Sequence, residues 1–585
     1  MEKRYWQRGL ALAITATMAL AACAPGPTGG GASPGGAAFT RGAGGELKIL
    51  YWQASTILNT HQATGTKDYD AARLIQEPLA SWGVDGKPSL TGGIAKEIPT
   101  LENGGVSKDL TTVTWKIADG LKWSDGTDVT ADDVAFTAKY MADLDTADTN
   151  SSFVEGVKSV VAKDKSTVVV TYNTPTLGYY TFGTGGGNEI LQKAQFEKCF
   201  GPKANECPEN LKPIGTGPYK LTEFKSGDVV TYEINTNYRD KNKPYFKTVQ
   251  FKGGGDALGA ARAVFQTGDF DYGWNLQVEA PVLRQLIQSS TVGDYLAEPS
   301  SNVERVNLNF ANPDPALGDQ RSEPTTKHPF FSDKNVRRAL AMASDRATIA
   351  KELYGENLTG TATCNQIAGN KDWESKNTAS MDVCKFDIAA ANKTLDDAGW
   401  ARGSDGVRAK GGVKLKILFG TTSVSLRQKT QDILKKSWEQ VGFSVELKST
   451  TSGVFFNNTT PDGANKMYYD VTMYTNGTTP DVTAYANFWT TKQIAQRSNN
   501  WNFGNYHRYS NPAYDAIVDQ MYKETEQSKI NALAIKANDI LISDVVVIPL
   551  VNRFQVASGK SKKLQGTKLT PWDSEMWNIS DWYKT

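Results

Sequence analysis

A strand–helix–strand pattern near residue 430 most limits the folds open to this chain of 585 residues. Apolar residues alternate over 413–419, recur at helical spacing over 426–441, and alternate again over 443–447. A helix joining two such strands favours a right-handed crossover and a parallel strand pair. A second covering helix is predicted over 387–398, where Gly399 ends it. This region is therefore predicted to be an α/β lobe.

The region before it combines short strands with a few helix starts. A strand is predicted over 46–52, and a helix over 70–82, where leucine, isoleucine and tryptophan recur near helical spacing. Between 110 and 173 alternating apolar residues predict strands, and Thr130 with Asp133 marks a helix N-terminus. The fold class we predict is α/β, with two lobes and an additional α+β subdomain inserted in the first lobe.

The N-terminal residues have the composition of an export signal followed by a linker. Residues 1–22 begin with basic side chains, and the apolar stretch 9–22 is too short to span a bilayer comfortably. The small residues before Cys23 resemble a bacterial lipobox, which implies cleavage before Cys23 and lipidation of its thiol. The Gly/Pro-rich residues 23–45 are predicted to be a disordered tether. We expect a lipid-anchored protein outside the cytoplasmic membrane, either periplasmic or on the cell surface.

The charge balance excludes one class of partner. Removal of residues 1–22 changes 64 basic and 63 acidic residues to 61 and 62, a formal net charge of −1. A balanced surface argues against nucleic acid, because phosphate binding needs a basic excess. The roughly 540 residues after the tether exceed a single core, so two or more lobes are expected.

Four cysteines remain besides Cys23, and an even number outside the cytoplasm favours disulfides. Their spacing suggests the pairs Cys199 with Cys207 and Cys364 with Cys384, although the sequence leaves other pairings open. Zinc is a weaker alternative, because neither pair has C-x-x-C spacing and the three histidines are isolated. We therefore expect no metal site and no cofactor.

Four short segments carry a family resemblance. They are 121–134 (LKWSDGTDVTADDV), 214–219 (IGTGPY), 331–340 (FSDKNVRRAL) and 509–515 (YSNPAYD). In this order they resemble characteristic segments of the extracellular solute-binding proteins of peptide-type ABC importers, family 5, which includes oligopeptide- and dipeptide-binding lipoproteins. The resemblance runs from about residue 46 to residue 585. The segments contain turn and helix-start signals, so they indicate the fold rather than binding residues.

The resemblance implies a clamshell of the periplasmic-binding-protein type (type II, cluster C). Lobe 1 is then expected to contain residues 46–82, 207–300 and 545–585, the inserted subdomain residues 83–206, and lobe 2 residues 301–544. The chain crosses between the lobes near 298–306 and again near 543–552. Two such crossings would act as a hinge, with a solute held between the lobes.

Five residues are the first candidates for contact with a solute. Trp52 and Gln53 follow the first strand, and strand ends of α/β lobes point into the cleft. Trp274 and Asn275 lie in a segment (DFDYGWNL) similar to one that faces the cleft in the family. Asn309 lies on the first strand after the hinge. For each aromatic or amide, structural packing is the alternative.

The segment 469–482 resembles the strand and loop where peptide-binding members often place an aspartate that pairs with the α-ammonium of the ligand. Pro480 and Asp481 match that pattern, but the earlier acidic position is Asn476 or a neighbouring threonine. Either Asp481 forms the ion pair, or the ligand has no free amino terminus, as in a sugar or a blocked peptide.

The resemblance implies a binding lipoprotein that captures oligopeptides and delivers them to the transmembrane subunits of an ABC permease, as a monomer and without catalysis. The same role for an oligosaccharide or another non-peptide solute is the alternative, and a nickel chelate fits worse with three histidines. A secreted hydrolase would need a nucleophile with a base, or paired carboxylates, and is the weaker interpretation. The identity and length of the solute, the permease and the type of envelope are left open.

Overall fold

The computed structural model describes residues 40–585, apart from Thr64, Asn357, Asn458 and Asn502. The predicted signal peptide (1–22), the lipidation site Cys23 and the predicted tether up to residue 39 lie outside the described residues. Among the described residues, no helix has the length and apolar character needed to cross a membrane.

Residues 40–45 differ from the predicted disordered tether, because they form a turn packed on the body of the protein. The Arg41 guanidinium donates to the carbonyl oxygens of Lys243 at 2.7 Å and Tyr238 at 3.0 Å. The amide of Gly42 donates to the carbonyl of Pro244 at 3.1 Å. A single long side chain with several donors therefore fixes this segment.

The strands are, in chain order, β1 (Glu46–Tyr51), β2 (Ser81–Trp82), β3 (Pro88–Ser89), β4 (Thr112–Lys116), β5 (Val157–Ala162), β6 (Thr167–Tyr172), β7 (Tyr219–Lys225), β8 (Val229–Ile234), β9 (Thr248–Gly253), β10 (Tyr272–Gly273), β11 (Gly293–Leu308), β12 (Gly360–Ala362), β13 (Ala401–Arg402), β14 (Arg408–Lys410), β15 (Val413–Lys414), β16 (Lys416–Thr422), β17 (Ser444–Thr450), β18 (Val471–Asn476), β19 (Val547–Ser561), β20 (Leu564–Gln565) and β21 (Tyr583–Lys584).

The α-helices are α1 (Thr66–Arg73), α2 (Ala131–Ala142), α3 (Lys193–Phe196), α4 (Ala257–Arg262), α5 (Ala280–Ser289), α6 (Lys334–Met342), α7 (Arg346–Thr348), α8 (Ile388–Asp397), α9 (Ser425–Gln440), α10 (Ser452–Phe455), α11 (Val482–Asn487), α12 (Pro512–Lys523) and α13 (Gln527–Ser543).

Eleven strands of the described chain form one mixed sheet. Its order is β17, β16, β18, β11, β19, β10, β1, β9, β8, β7, with β12 added beside β19. Strand β1 is parallel to β9 and β10, and β16 is parallel to β17 and β18. We call the half around β1 and β7–β10 lobe 1, and the half around β16–β18 lobe 2. The fold is thus two-lobed and α/β, as predicted.

Two long antiparallel strands, β11 and β19, join the lobes. Their pairing register shifts between Leu296 and Glu298, and again between Pro299 and Val303. These irregular positions fall where the chain passes from lobe 1 to lobe 2, at the predicted crossing near 298–306. An interrupted ladder has fewer hydrogen bonds to resist bending, which is the geometry expected of a hinge.

The predicted strand–helix–strand unit is confirmed. Strands β16 and β17 are parallel, with Ile417 beside Val445, and α9 connects them. Val413 is the exception, since it belongs to β15 and pairs with β14 rather than extending β16. The predicted helix over 387–398 is α8, and the side chain of Asp387 caps it by accepting from the amide of Ala390 at 2.8 Å.

The predicted helix over 70–82 is confirmed only over residues 70–73 and is wrong beyond them. Helix α1 ends at Arg73, and the next carbonyls are used by the turn at 214–219 instead of by a helix. The amide of Gly217 donates to the carbonyl of Ile75 at 2.7 Å. A Cβ atom at Gly215 would lie 2.0 Å from the same carbonyl oxygen, so only glycine allows this approach. Contacts distant in sequence therefore override the local helical periodicity.

Separate apolar cores support these parts. Lobe 2 packs around residues such as Phe419 and Trp438, and lobe 1 around Tyr51 and Phe251. Strands β4–β6 form a three-stranded antiparallel sheet that shares a core with α2, and we call these elements the three-stranded unit. It lies within the predicted subdomain 83–206, whose exact limits, like those of the lobes, remain our proposal.

Both expected disulfides are present. Cys199 is bonded to Cys207, and Cys364 to Cys384. Each bridge is local, spanning 8 and 20 residues respectively.

Candidate functional site

A cavity of about 710 Å³ lies between the lobes at the crossing strands. Ser301 and Asn302 on β11, and Arg553 and Phe554 on β19, form part of its wall. Both lobes contribute further side chains, among them Gln53 from lobe 1 and, from lobe 2, Arg427, Phe456 and Thr475. A molecule held there would therefore contact both lobes and the connection between them.

Four of the predicted site residues line this cavity: Gln53, Trp274, Asn275 and Asn476. Trp52 is not among the lining residues, but its indole Nε1 donates to the carbonyl of Asn275 at 2.8 Å. Its ring also lies 5.9 Å from that of Trp274. Trp52 thus contacts two residues of the cavity wall.

Asn309 does not reach the cavity, contrary to the prediction. Its side chain is fully buried in lobe 2, where the amide donates to the carbonyls of Met467 at 2.8 Å and Tyr469 at 3.1 Å. Its oxygen accepts from the amide of Ala311 at 2.9 Å. Asn309 therefore hydrogen-bonds to three backbone groups. Its role is structural, which was the alternative to contact with a solute.

Asp481 is also outside the large cavity. It is the N-cap of α11, and its Oδ1 accepts from the amide of Thr483 at 2.9 Å. Its Oδ2 accepts from the Thr181 hydroxyl at 2.6 Å, which links lobe 2 to the region beside the three-stranded unit. Both carboxylate oxygens are engaged within the protein, so Asp481 is poorly placed to pair with a solute ammonium.

Trp274 is shared between the cavity and the core of lobe 1. Its side chain is only 5% exposed, and its ring stacks on Tyr51 with 4.7 Å between centroids and 5° between planes. One face of the indole is therefore fixed by the core, while the residue still forms part of the cavity wall. A flat, immobile aromatic surface suits apolar portions of a solute.

Asn275 has a left-handed backbone, with φ of 50°. Asparagine tolerates this region better than most residues. The conformation accompanies a hydrogen bond from Arg553 Nη2 to Asn275 Oδ1 at 2.7 Å. The backbone amide of Asn275 also donates to the hydroxyl of Ser558 at 3.2 Å. The side chain and the backbone of this residue are thus both held by β19.

The sequence analysis missed a buried ion group in the cavity wall. Glu304 accepts from Arg427 Nε at 2.7 Å and lies 3.6 Å from Arg553 Nη1. Burial would raise the pKa of the Glu304 carboxyl, but the charge and hydrogen bonds of Arg427 outweigh it and hold the pKa below its usual range. Strands β11 and β19 contain other charged residues, among them Glu298 and Lys560, so no sequence pattern singles out Glu304 and Arg553 as a buried pair.

A second missed feature is a pair of buried acids in lobe 1. Asp70 lines the cavity and accepts from the Tyr51 hydroxyl at 2.6 Å and from the hydroxyl of Ser574. Burial raises the pKa of Asp70 to about 6, against the opposing hydrogen bonds. Burial, and then the charge of Asp70, raises the pKa of Glu575 well above its usual range. No pattern links these acids, since they are 505 positions apart.

Potential metal ligands meet at one place in the described chain, at Cys199, Cys207 and Glu209. The two sulfurs are joined in a disulfide, so neither is available as a thiolate ligand. The cavity offers amide and hydroxyl groups and aromatic rings, together with the charged side chains of Lys67, Asp68, Asp70, Arg427, Arg553 and Asp573. Such groups can hydrogen-bond and pack against a solute.

Comparisons with known proteins agree with this geometry. Residues 89–497 match the model of the bacterial extracellular solute-binding proteins, family 5, middle region. The oligopeptide-binding protein AppA of Bacillus subtilis is 27% identical over 410 residues, 69% of either chain. That family consists of solute-binding proteins and not of enzymes.

Solved structures share the fold. The structure of AppA from Bacillus subtilis in complex with a nonapeptide superposes with a TM-score of 0.77 at 21% identity, covering 93% of this chain and 100% of that one. NikZ from Campylobacter jejuni, in complex with Ni(L-His), superposes with a TM-score of 0.75 at 21% identity, covering 92% and 99%. The same fold thus surrounds chemically different solutes.

Proposed function

Because the chain belongs to the bacterial extracellular solute-binding proteins of family 5, we propose that it captures oligopeptides between its two lobes and delivers them to the permease of an ABC importer. The observation that carries the proposal is the cavity of about 710 Å³, whose walls come from both lobes and from the strands that join them. Solute held there contacts both lobes at once, which favours the closed form.

The cavity wall suits a peptide in its chemistry. The amides of Gln53, Asn275 and Asn476 can donate to and accept from peptide groups. Trp274 and Phe456 supply aromatic surface for side chains. A volume of this size lies in the usual range for buried small ligands, about 300–1,000 Å³, so a short segment of peptide fits.

Delivery and anchoring are part of the same proposal. In it, cleavage after residue 22 leaves Cys23 as a lipidated N-terminus, so the protein acts as a monomer held at the outer face of the cytoplasmic membrane. The transmembrane subunits of the permease are the partner that recognises the closed form. Support comes from the lipobox-like residues and from the family, whose members act outside the cytoplasm.

A non-peptide solute, such as an oligosaccharide, is the second candidate because of Asp481. Its carboxylate caps α11 and accepts from Thr181 instead of facing the large cavity. Among the described lining residues, Asp68 is paired with Lys67, Asp70 is bonded to Tyr51, and Asp573 accepts from the backbone amide of Trp82 at 2.8 Å. The ammonium group of a peptide would thus meet carboxylates that already have partners. A neutral polar solute would not need a carboxylate partner.

Mass spectrometry of the solute that co-purifies with the mature protein tests the proposal directly. Peptides in the extract, followed by titration with the identified peptide, compaction in small-angle scattering and recovery of the peptide unaltered, are the expected result. Sugars in place of peptides would favour the second candidate. Cleavage of the added peptide, or absence of binding and compaction with both solute classes, would overturn the proposal.

A further inference from the structure

Two glutamates connect the lobes outside the cavity, and the first is Glu155. It lies between α2 and β5 of the three-stranded unit, while its partners belong to lobe 2. Its Oε1 lies 2.5 Å from the ammonium of Lys492, and its Oε2 accepts from the amide groups of Gln493, at 3.0 Å, and Asn487. The carboxylate of Glu155 therefore contacts three donor side chains of lobe 2.

The second is Glu279, which precedes α5 in lobe 1. Its Oε1 accepts from the hydroxyl of Ser425 and from the ammonium of Lys429, each at 2.7 Å. Both donors belong to the first turns of α9 in lobe 2, where a negative charge is also favoured by the helix dipole. Burial would raise the pKa of the Glu279 carboxyl, but the bonds from Lys429 and Ser425 outweigh it and hold the pKa below its usual range.

These contacts are separate from the solute site. Within the described residues, neither glutamate nor any of its partners lines the large cavity. Both carboxylates remain partly accessible, with 25% and 20% of the side-chain surface exposed. Their attraction to lysine is therefore screened by salt, unlike that of the buried Glu304.

We propose that Glu155 and Glu279 are interlobe latches, which raise solute affinity by stabilising the closed form without touching the solute. This inference rests on the proposed function, since closure around a solute is what the latches would hold. Contacts present only in the closed form raise the closed population and slow the release of solute from it. Partly exposed pairs of this kind change an equilibrium by about twofold to fivefold each.

The first test uses the protein freed of solute by unfolding and refolding. The radius of gyration is measured by small-angle scattering in low and high salt for wild type, the double variant Glu155→Gln/Glu279→Gln, and the control Glu97→Gln. The control removes an ion pair of Glu97 with Lys116, at 2.9 Å, and both residues lie within the predicted subdomain 83–206. We expect wild type and control to expand with salt, and the double variant to be expanded already. Equal radii of gyration for all three proteins at both salt concentrations would overturn the proposal that the two glutamates act as latches.

The second test uses an equimolar mixture of free pentapeptides as the probe. We expect each single substitution to weaken binding about twofold to fivefold through faster release, and to lower the thermal midpoint of the solute-free protein no more than the control Glu97→Gln does. Unchanged release rates in both variants would contradict the inference. If wild type neither binds nor compacts with the mixture, the peptide function fails, and the solute-free scattering alone then decides for or against the latches.

Discussion

The indole of Trp274 lies parallel to the phenol ring of Tyr51, with 4.7 Å between the ring centroids. The Tyr51 hydroxyl in turn donates to Asp70 at 2.6 Å. The aromatic wall of the cavity is therefore continuous with the buried acid pair of lobe 1. Substitutions here act on both the solute site and the core, so their effects must be separated by measurement.

Trp274→Phe should weaken solute binding while leaving the fold intact, because a phenyl ring keeps the stack on Tyr51 but offers less surface to the cavity. Trp274→Ala should weaken binding further and also lower the free energy of unfolding by about 3 kcal/mol, the usual cost of deleting a buried aromatic ring. Titration of the co-purified solute and urea unfolding measure the two effects. Equal affinity in wild type and both variants would remove Trp274 from the solute site.

Asn476 and Asn309 form a matched pair of substitutions. Asn476→Ala should lower solute affinity with little change in stability, because Asn476 lines the cavity. Asn309→Ala should lower the free energy of unfolding by about 1–3 kcal/mol, because it removes the side-chain donor to the carbonyl of Tyr469 and one of the two side-chain donors to that of Met467. Solute affinity of the folded Asn309 variant should be unchanged. The opposite assignment of effects would show that the cavity is misidentified.

Glu304→Gln should be strongly destabilising. It leaves two buried guanidinium groups, those of Arg427 and Arg553, without a carboxylate, which costs about 3 kcal/mol or more. The exposed pair of Glu439 with Lys435 on α9 provides the control, since Glu439→Gln should cost under about 0.5 kcal/mol. Urea unfolding of both variants at neutral pH measures the difference. Similar losses in the two variants would contradict the buried network.

Asp70 should make stability fall as the pH rises. Its pKa is about 6 in the folded protein and about 4 in an unfolded chain, so the folded form binds more protons between these values. Its contribution to the free energy of unfolding is therefore present below about pH 4 and lost as the pH passes about 6.

The variant Asp70→Asn removes this titration. The free energy of unfolding of wild type minus that of the variant should decrease by about 2 kcal/mol from pH 4 to pH 7. Urea unfolding at several pH values measures both profiles, and the difference between them cancels the contribution of titrating groups that do not interact with Asp70. Glu575 does interact, and burial, the larger cause of its raised pKa, remains in the variant. Parallel profiles across this range would show that Asp70 keeps an ordinary pKa when folded.

Local periodicity predicted the elements whose hydrogen bonds stay within one lobe. The β16–α9–β17 unit and helix α8 follow directly from their apolar patterns. The helix predicted over 70–82 ends at Arg73, because the amide of Gly217 donates to the carbonyl of Ile75, and no sequence pattern in either segment predicts that contact.

The cavity residues could be predicted only in part, for a similar reason. Asn309 and Asn476 are both amides near strand ends, and only the partners of Asn309 in lobe 2 distinguish them. The acid pair of Asp70 and Glu575 depends on contact between the two ends of the chain. A sequence pattern shows which face of one helix or strand is apolar. The position of Asn309 and the acid pair depend instead on which helices and strands pack against each other.

The docking of Arg41 beside Lys243 determines where mechanical load would enter the protein. The contact lies between β8 and β9, on the far side of lobe 1 from β11 and β19 in the sheet order. In the lipid-anchored protein that we propose, tension from the anchor would therefore enter the folded chain through lobe 1. Lobe 2, on the other side of β11 and β19 from this attachment, would then stay free to move relative to lobe 1.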